Sequence, residues 1–153
     1  MWKKVSRHRT GLVGALLIMI FIVTALVSPW LAPFDPVKMD LSKVRISPNK
    51  VHWLGTDELG RDILSRIIVG ARLSLVISIG AVGLALMLGC NWGALAAYYG
   101  GRLDLIMMRW IDIMMAFPGI LLAIVIITIT GPGIISVVVA VGISYIPIFA
   151  RLI

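Results

Sequence analysis

Most of the side chains capable of chemistry lie in one charged stretch, HWLGTDELGRDILSRIIVGARLSL, which runs from His52 to Leu75. It holds three arginines, three acidic residues and three glycines among aliphatic residues. A metal site would need histidine or cysteine at ligand spacing from other ligands, and neither His8 nor His52 has such neighbours in the sequence. We therefore expect no catalytic residue, no metal site and no cofactor.

The same stretch has the residue types of an ordered polar structure. Because apolar residues recur in it at helical spacing, we expect residues 52–72 to form an ordered extracytoplasmic cap and not a flexible loop. The residues that we expect to build this structure are Gly55, Thr56, Asp57, Gly60, Arg61, Asp62 and Arg66.

The sequence also lacks a phosphate-binding motif for nucleotides. No G-x-x-x-x-G-K-[ST] loop occurs, so the chain is not predicted to bind ATP through such a loop. The net charge of +7 arises from 14 Lys and Arg against 7 acidic residues. In a chain this apolar, such an excess indicates membrane topology and lipid headgroups rather than nucleic acid.

The elements that position these residues are membrane helices. Hydrophobic residues make up 60% of the chain and the mean hydropathy is +1.05, which is typical of an integral membrane protein. Because about 20 apolar residues span a bilayer, the sequence predicts an all-α protein with four transmembrane helices. They cover residues 11–30, about 73–98, about 105–129 and 134 to the chain end. We expect the first to be a retained anchor and not a cleaved signal peptide, since its apolar run is too long.

The orientation follows from two features of charge distribution. Basic residues divide seven against seven between the two sides, but an unbroken basic tail, residues 1–10, precedes the first helix. The TGPG turn at residues 130–133 carries no charge and suits a translocated hairpin. We therefore place the N-terminus in the cytoplasm, residues 31–72 outside it, and residues 73–153 in a transmembrane domain.

The outer segment contains an amphipathic pattern. Ile63, Leu64, Ile67, Ile68 and Ala71 recur at helical spacing, with Asp62, Ser65 and Arg66 on the other side. This predicts a short helix from about Arg61 to Gly70 that lays its apolar face on the transmembrane bundle and pairs Asp62 with Arg66 in solvent. A helix that merely rests on the membrane surface is the alternative.

Small residues follow one another at every fourth position of the second membrane segment: Ala81, Ala85, Gly89, Gly93 and Ala97. Such a stripe lets helix backbones approach closely in lipid, so we expect it to pack against another helix. Chance placement in a helix rich in alanine and glycine is the alternative. The single cysteine, Cys90, is expected to be a packed side chain.

Two charges lie in the third segment, Arg109 and Asp112. They stand at i and i+3, so a mutual ion pair at the cytoplasmic interface explains them. A place in a gate or transport pathway is the alternative, because ionisable residues within membrane segments are commonly functional. Pro118 follows within two turns and is expected to bend the helix.

Three motifs, in order, carry a family resemblance: HWLGTDELGRDILSRIIVGARLSL, AAYYGGRLD and MRWIDIMMAFPGILLAI. Together they resemble the second of the two permease subunits in bacterial dipeptide, oligopeptide and nickel ABC importers. The resemblance implies the six-helix fold of type I ABC importer permeases. It also implies a homologous partner permease, two cytoplasmic ATP-binding subunits and an extracytoplasmic solute-binding protein.

The end of the chain departs from the family pattern. Family members carry an E-A-A coupling loop after the fourth helix, followed by two further helices, whereas this sequence stops at Ile153. We therefore expect the N-terminal part of a permease for dipeptides or oligopeptides. A permease for nickel or another small solute, or a truncated membrane protein that does not transport, remains open.

Overall fold

The computed structural model describes residues 9–153, and most of them are helical. Within residues 9–153, five α-helices follow one another: α1 (Arg9–Leu31), α2 (Ile63–Tyr99), α3 (Gly101–Ala116), α4 (Gly119–Thr130) and α5 (Ile134–Leu152). A short 3-10 helix, Leu41–Lys43, lies between α1 and α2, and the described residues contain no β-strand. The predicted all-α class is confirmed, while most of the predicted basic tail, residues 1–8, lies outside the described residues.

Three of these helices are long and apolar enough to cross a membrane: α1 from Thr10, α2 and α5. Helices α3 and α4 meet this test only as a bent pair, which gives up to four spans. Large apolar side chains of α1 are exposed along most of its length, as expected of a surface that faces lipid or another membrane helix.

The chain divides into two compact units, and the boundary falls within α2, between Leu75 and Val76. The first unit contains α1, the segment that follows it and the start of α2. The second contains the rest of α2 and helices α3 to α5.

The predicted amphipathic helix is not a separate element. Residues from Ile63 onward belong to α2, which continues for 37 residues to Tyr99 and is therefore about 55 Å long. The prediction of a break near Gly70 was wrong because a lone glycine is tolerated inside a helix, and the aliphatic residues on both sides favour its continuation.

The third predicted span is broken rather than gently bent. Helices α3 and α4 meet at 89°, where Phe117 is extended (φ −89°, ψ 131°) and Pro118 precedes the first residue of α4. Proline lacks an N–H and disfavours helical backbone in the preceding residue, which explains the break. Helix α3 also starts at Gly101, about four residues before the predicted start of this span near residue 105.

The small-residue stripe of α2 packs against α5 within the second unit. Ala81, Ala85, Gly89 and Gly93 are buried. A Cβ atom on Gly93 would lie 2.4 Å from the backbone oxygen of Ala150, so the two backbones touch there without a side chain between them.

The stripe ends differently from the prediction. Ala97 is exposed and Ala96 is buried in its place. Each step of four residues advances about 40° around a helix, so a strict four-residue stripe turns away from a fixed neighbour. The step of three from Gly93 to Ala96 turns it back.

Candidate functional site

The segment between α1 and α2, residues 32–62, is called the cap here. Two parts of it are tied together by backbone hydrogen bonds, from Arg45 N to Asp57 O (3.1 Å), from Thr56 N to Ile46 O (3.1 Å) and from Asp40 N to Leu59 O (3.2 Å). The hydroxyl of Thr56 accepts from Ile46 N (2.9 Å) and donates to Lys43 O. The cap is therefore an ordered structure built largely from its backbone.

Two glycines permit this close approach. Gly55 and Gly60 have φ angles of +75° and +72°, which favour glycine. A Cβ on Gly60 would lie 1.8 Å from the backbone oxygen of Asp40, and one on Gly55 would lie 2.4 Å from that of Ile46. No other residue type fits at either position without moving the opposite part of the cap.

Asp57 is the centre of the first charge cluster. Its carboxylate accepts from the backbone N–H groups of Leu59 and Arg61 (both 2.9 Å) and from Arg61 Nε (2.8 Å). Arg66 also pairs with it. Burial raises the pKa of Asp57, but the backbone donors and the Arg61 guanidinium outweigh that effect and bring the pKa to about 2.

Asp62 is the centre of the second cluster, and it is buried. Its Oδ1 lies 3.0 Å from His52 Nδ1, and its Oδ2 accepts from Ser65 N (2.8 Å) and Ser65 Oγ (2.7 Å). The Ser65 hydroxyl in turn accepts from Phe34 N (3.0 Å). Burial raises the pKa of Asp62, but these hydrogen bonds bring it below its usual value. The network joins three distant parts of the first unit.

The predicted faces of this region were right for Ile68, which is buried, and for Arg66, which is exposed, but wrong for several of their neighbours. Asp62 and Ser65 are buried, whereas Ile67 is 57% exposed, and Arg66 pairs with Asp57 instead of Asp62. The reason is that a membrane protein can leave apolar residues outside and bury polar ones that satisfy each other. Asp62 directly before the helix, with Ser65 three residues later, is a local sequence sign of an N-terminal helix-capping hydrogen bond. No local feature of the sequence indicated that His52 would contact Asp62.

The two carboxylates predict a pH response of the cap. Because the native pKa values of Asp57 and Asp62 are lowered, their stabilisation is fully present above the unfolded value of about 4. It is lost as the pH falls through the native values, for Asp57 toward about 2. Hydrogen-exchange protection of residues 32–62, corrected for intrinsic rates, should be constant from neutral pH to about pH 5 and then fall.

Asp57→Asn is the control for this response. It should lower the protection at neutral pH and flatten the fall in acid. A loss of protection already between neutral pH and about pH 5, above the range in which these two carboxylates titrate, would contradict the prediction.

The second unit has its own ion pair. Arg151 at the end of α5 donates to Asp112 on α3, with side-chain exposures of 51% and 45%. The predicted pair of Arg109 with Asp112 was wrong, because the cation that pairs with Asp112 comes from α5. Arg109 is exposed and makes no salt bridge within the described residues.

A groove of about 480 Å³ lies beside the break between α3 and α4. We call it the elbow groove. Its lining includes Met114, Phe117, Gly119, Ala123, Ser144 and Tyr145. The Ser144 hydroxyl has a single proton, which it shares between Ala140 O (2.8 Å) on its own helix and Gly119 O (3.2 Å). The second contact joins the start of α4 to α5.

Within residues 9–153, no group of three or more His, Cys, Asp or Glu side chains is placed to hold a metal ion. The clusters that the structure assembles are hydrogen-bonded ion pairs.

Comparison with known proteins found matches to two protein-family models and to individual proteins. The N-terminal TM domain of oligopeptide transport permease C matches residues 1–48, and the binding-protein-dependent transport system inner membrane component matches residues 89–153. The glutathione transport system permease protein GsiD of Pectobacterium atrosepticum is 43% identical over 153 residues, which are 99% of this chain and 51% of that protein.

The proteins of the same name from Escherichia coli and Shigella boydii are each 42% identical, over 99% of this chain and 50% of their own length. The chain therefore spans about half the length of the curated relatives that it matches.

Proposed function

Because the chain is related over nearly its whole length to the inner-membrane permease subunits of binding-protein-dependent transport systems, we propose that it is part of an ABC importer permease for dipeptides or oligopeptides. The observation that carries this proposal is the 43% identity to a glutathione permease protein along 99% of the chain. Glutathione is itself a small peptide, so a peptide is the substrate class that we propose. In this role the chain performs no chemistry, and two cytoplasmic ATPases supply the energy.

The proposed assembly gives each unit a task. The second unit packs with a homologous permease, and the cap is the extracytoplasmic surface on which a solute-binding protein docks to deliver the peptide. The N-terminus is cytoplasmic. The rigid cap supports this role, since Asp57 and Asp62 each gather three or more hydrogen bonds or ion pairs.

Uptake by the complete transporter tests the proposal. The transporter genes would be expressed in a bacterium without its own peptide and glutathione importers, and uptake of labelled dialanine, glutathione and nickel would be compared. We expect uptake of at least one peptide and no nickel uptake above the empty strain. Nickel uptake alone would identify the other solute class, and uptake of none of the three would contradict the peptide proposal.

The ion pair between α3 and α5 predicts a charge-exchange result. Asp112→Arg and Arg151→Asp should each lower peptide uptake by about three- to tenfold, because each places two like charges side by side. The double variant carrying both changes should restore most of the uptake. The measurement is the initial uptake rate, normalised to the amount of transporter in the membrane.

Arg109→Asp is the matched control, since Arg109 lies on the same helix and is exposed. It should change uptake by less than about twofold. If the double variant takes up peptide no faster than the two single variants, the ion pair between Asp112 and Arg151 does not support transport.

A further inference from the structure

The break between α3 and α4 leaves backbone groups unpaired. Among the hydrogen bonds of the described residues, none uses the carbonyl oxygens of Met115, Ala116 or Phe117, or the N–H groups of Gly119 and Ile120. Phe117 N turns back to Met114 O, and Leu121 N and Leu122 N both reach Pro118 O. Donors and acceptors therefore stand free on both sides of the proline.

The depth of this break follows from its contact with α5. Gly119 O accepts from Ser144 (3.2 Å), and Ser144 lies near the middle of the spanning helix Ile134–Leu152. It is about 15 Å along the axis from the first residue of α5 and about 12 Å from the last. The unpaired groups are therefore level with the middle of the membrane-spanning helix.

Backbone groups at this depth cannot face lipid, which offers no hydrogen bonds. Irregular backbone is tolerated within a membrane only where it is buried in protein or lines a water-filled cavity. Phe117 is 59% exposed, and the elbow groove of about 480 Å³ opens beside it. Among the described residues, the unpaired groups thus border an open space.

The chemistry of these groups indicates what fills the groove. A packed transmembrane helix satisfies its own backbone bonds, so it would leave the elbow unpaired unless it brought polar side chains. Water and a peptide substrate both carry free donors and acceptors. A peptide also presents amide N–H, amide carbonyl and carboxylate groups, which complement the carbonyls before Pro118 and the N–H groups after it.

We propose that the elbow groove lines the substrate pathway, and that the backbone groups around Pro118 hydrogen-bond the amides and carboxylate of a passing peptide. This inference rests on the proposed function. Recognition by backbone groups does not depend on the peptide's side chains, and Met114 and Met115 in the groove can adapt to side chains of different shape. The groove would therefore accept peptides of varied sequence.

Thiol accessibility in the complete transporter tests the proposal. In a Cys90→Ala background, Ala123→Cys places a thiol in the groove, and Val125→Cys places one two residues further on the same helix, at a position that is 54% exposed but outside the groove. Membrane vesicles would be treated with a small water-soluble methanethiosulfonate, with and without dialanine bound to its binding protein. Both thiols would be normalised to their labelling after denaturation.

We expect the thiol at position 123 to react at least about tenfold faster than the one at position 125, because lipid excludes the reagent and a wet groove admits it. Dialanine should slow the reaction at position 123 alone, and modification there should block uptake. Equal rates at the two positions, or a reaction at position 123 that neither responds to peptide nor affects uptake, would overturn the proposal.

Uptake of dialanine in vesicles of the Cys90→Ala parent separates the two proposals. If the parent takes up dialanine while the thiol at position 123 is unreactive, the proposal that the groove lines the pathway is rejected. The proposal that the transporter imports peptides is then retained. A reactive, unprotected thiol without any uptake would reject the peptide as the substrate.

Discussion

Replacing Gly93 with leucine should prevent the second unit from folding. A Cβ at this position would already lie 2.4 Å from Ala150 O and 3.2 Å from its carbonyl carbon. These are backbone atoms that cannot rotate away, so α2 and α5 would have to separate along their contact. We expect a loss of more than about 4 kcal/mol in the free energy of unfolding, seen as little monodisperse protein after extraction and purification in mild detergent.

Gly83→Leu is the control, because it lies on the same helix and a Cβ there would meet nothing within 4 Å. Leucine also has a higher helix propensity than glycine. This variant should be recovered in normal amounts with an unchanged unfolding temperature. Normal recovery of Gly93→Leu would show that α2 and α5 do not meet at this position.

Replacing Asp62 with asparagine should loosen the cap while leaving the second unit folded. The amide group is the same size, but it cannot accept from His52 and from both donors of Ser65 at once. Leaving a buried donor without its acceptor costs about 1 to 3 kcal/mol. We expect limited proteolysis of the purified protein to cut within residues 32–62 much faster than in the unmodified chain.

Glu58→Gln is the control for this experiment. Glu58 pairs with Arg45 in the same cap, but the two side chains are 77% and 71% exposed, and such pairs contribute at most about 1 kcal/mol. Its cleavage should match that of the unmodified protein. If Asp62→Asn were cut no faster than Glu58→Gln, the buried network would not be what holds the cap.

Hydropathy, together with the positions of glycine and proline between the apolar segments, predicted most of the helical architecture. The apolar runs gave the spanning helices, and the uncharged TGPG turn separates α4 from α5 as expected. These features depend on local properties of the chain. The extent of the break at Pro118 was not predicted, because a proline signals a bend without setting its angle.

The cap could be predicted only in part. Its amphipathic spacing indicated order, but the same periodicity assigned Ser65 and Asp62 to solvent, on the assumption that apolar residues turn inward. That assumption holds for a helix in water and fails beside a bilayer. The partner of Asp112 could not be predicted either, because Arg151 is 39 positions away in sequence.

The Asp57 cluster has a consequence for ionic strength. The contact of Asp57 Oδ2 with Arg61 Nη2 spans 2.8 Å, and the two side chains are only 14% and 21% exposed. The Debye length is about 10 Å in 0.1 M salt and still about 3 Å in 1 M salt. Mobile ions therefore screen these charges from each other only weakly. The conformation of the cap should be the same at low and at high salt concentration.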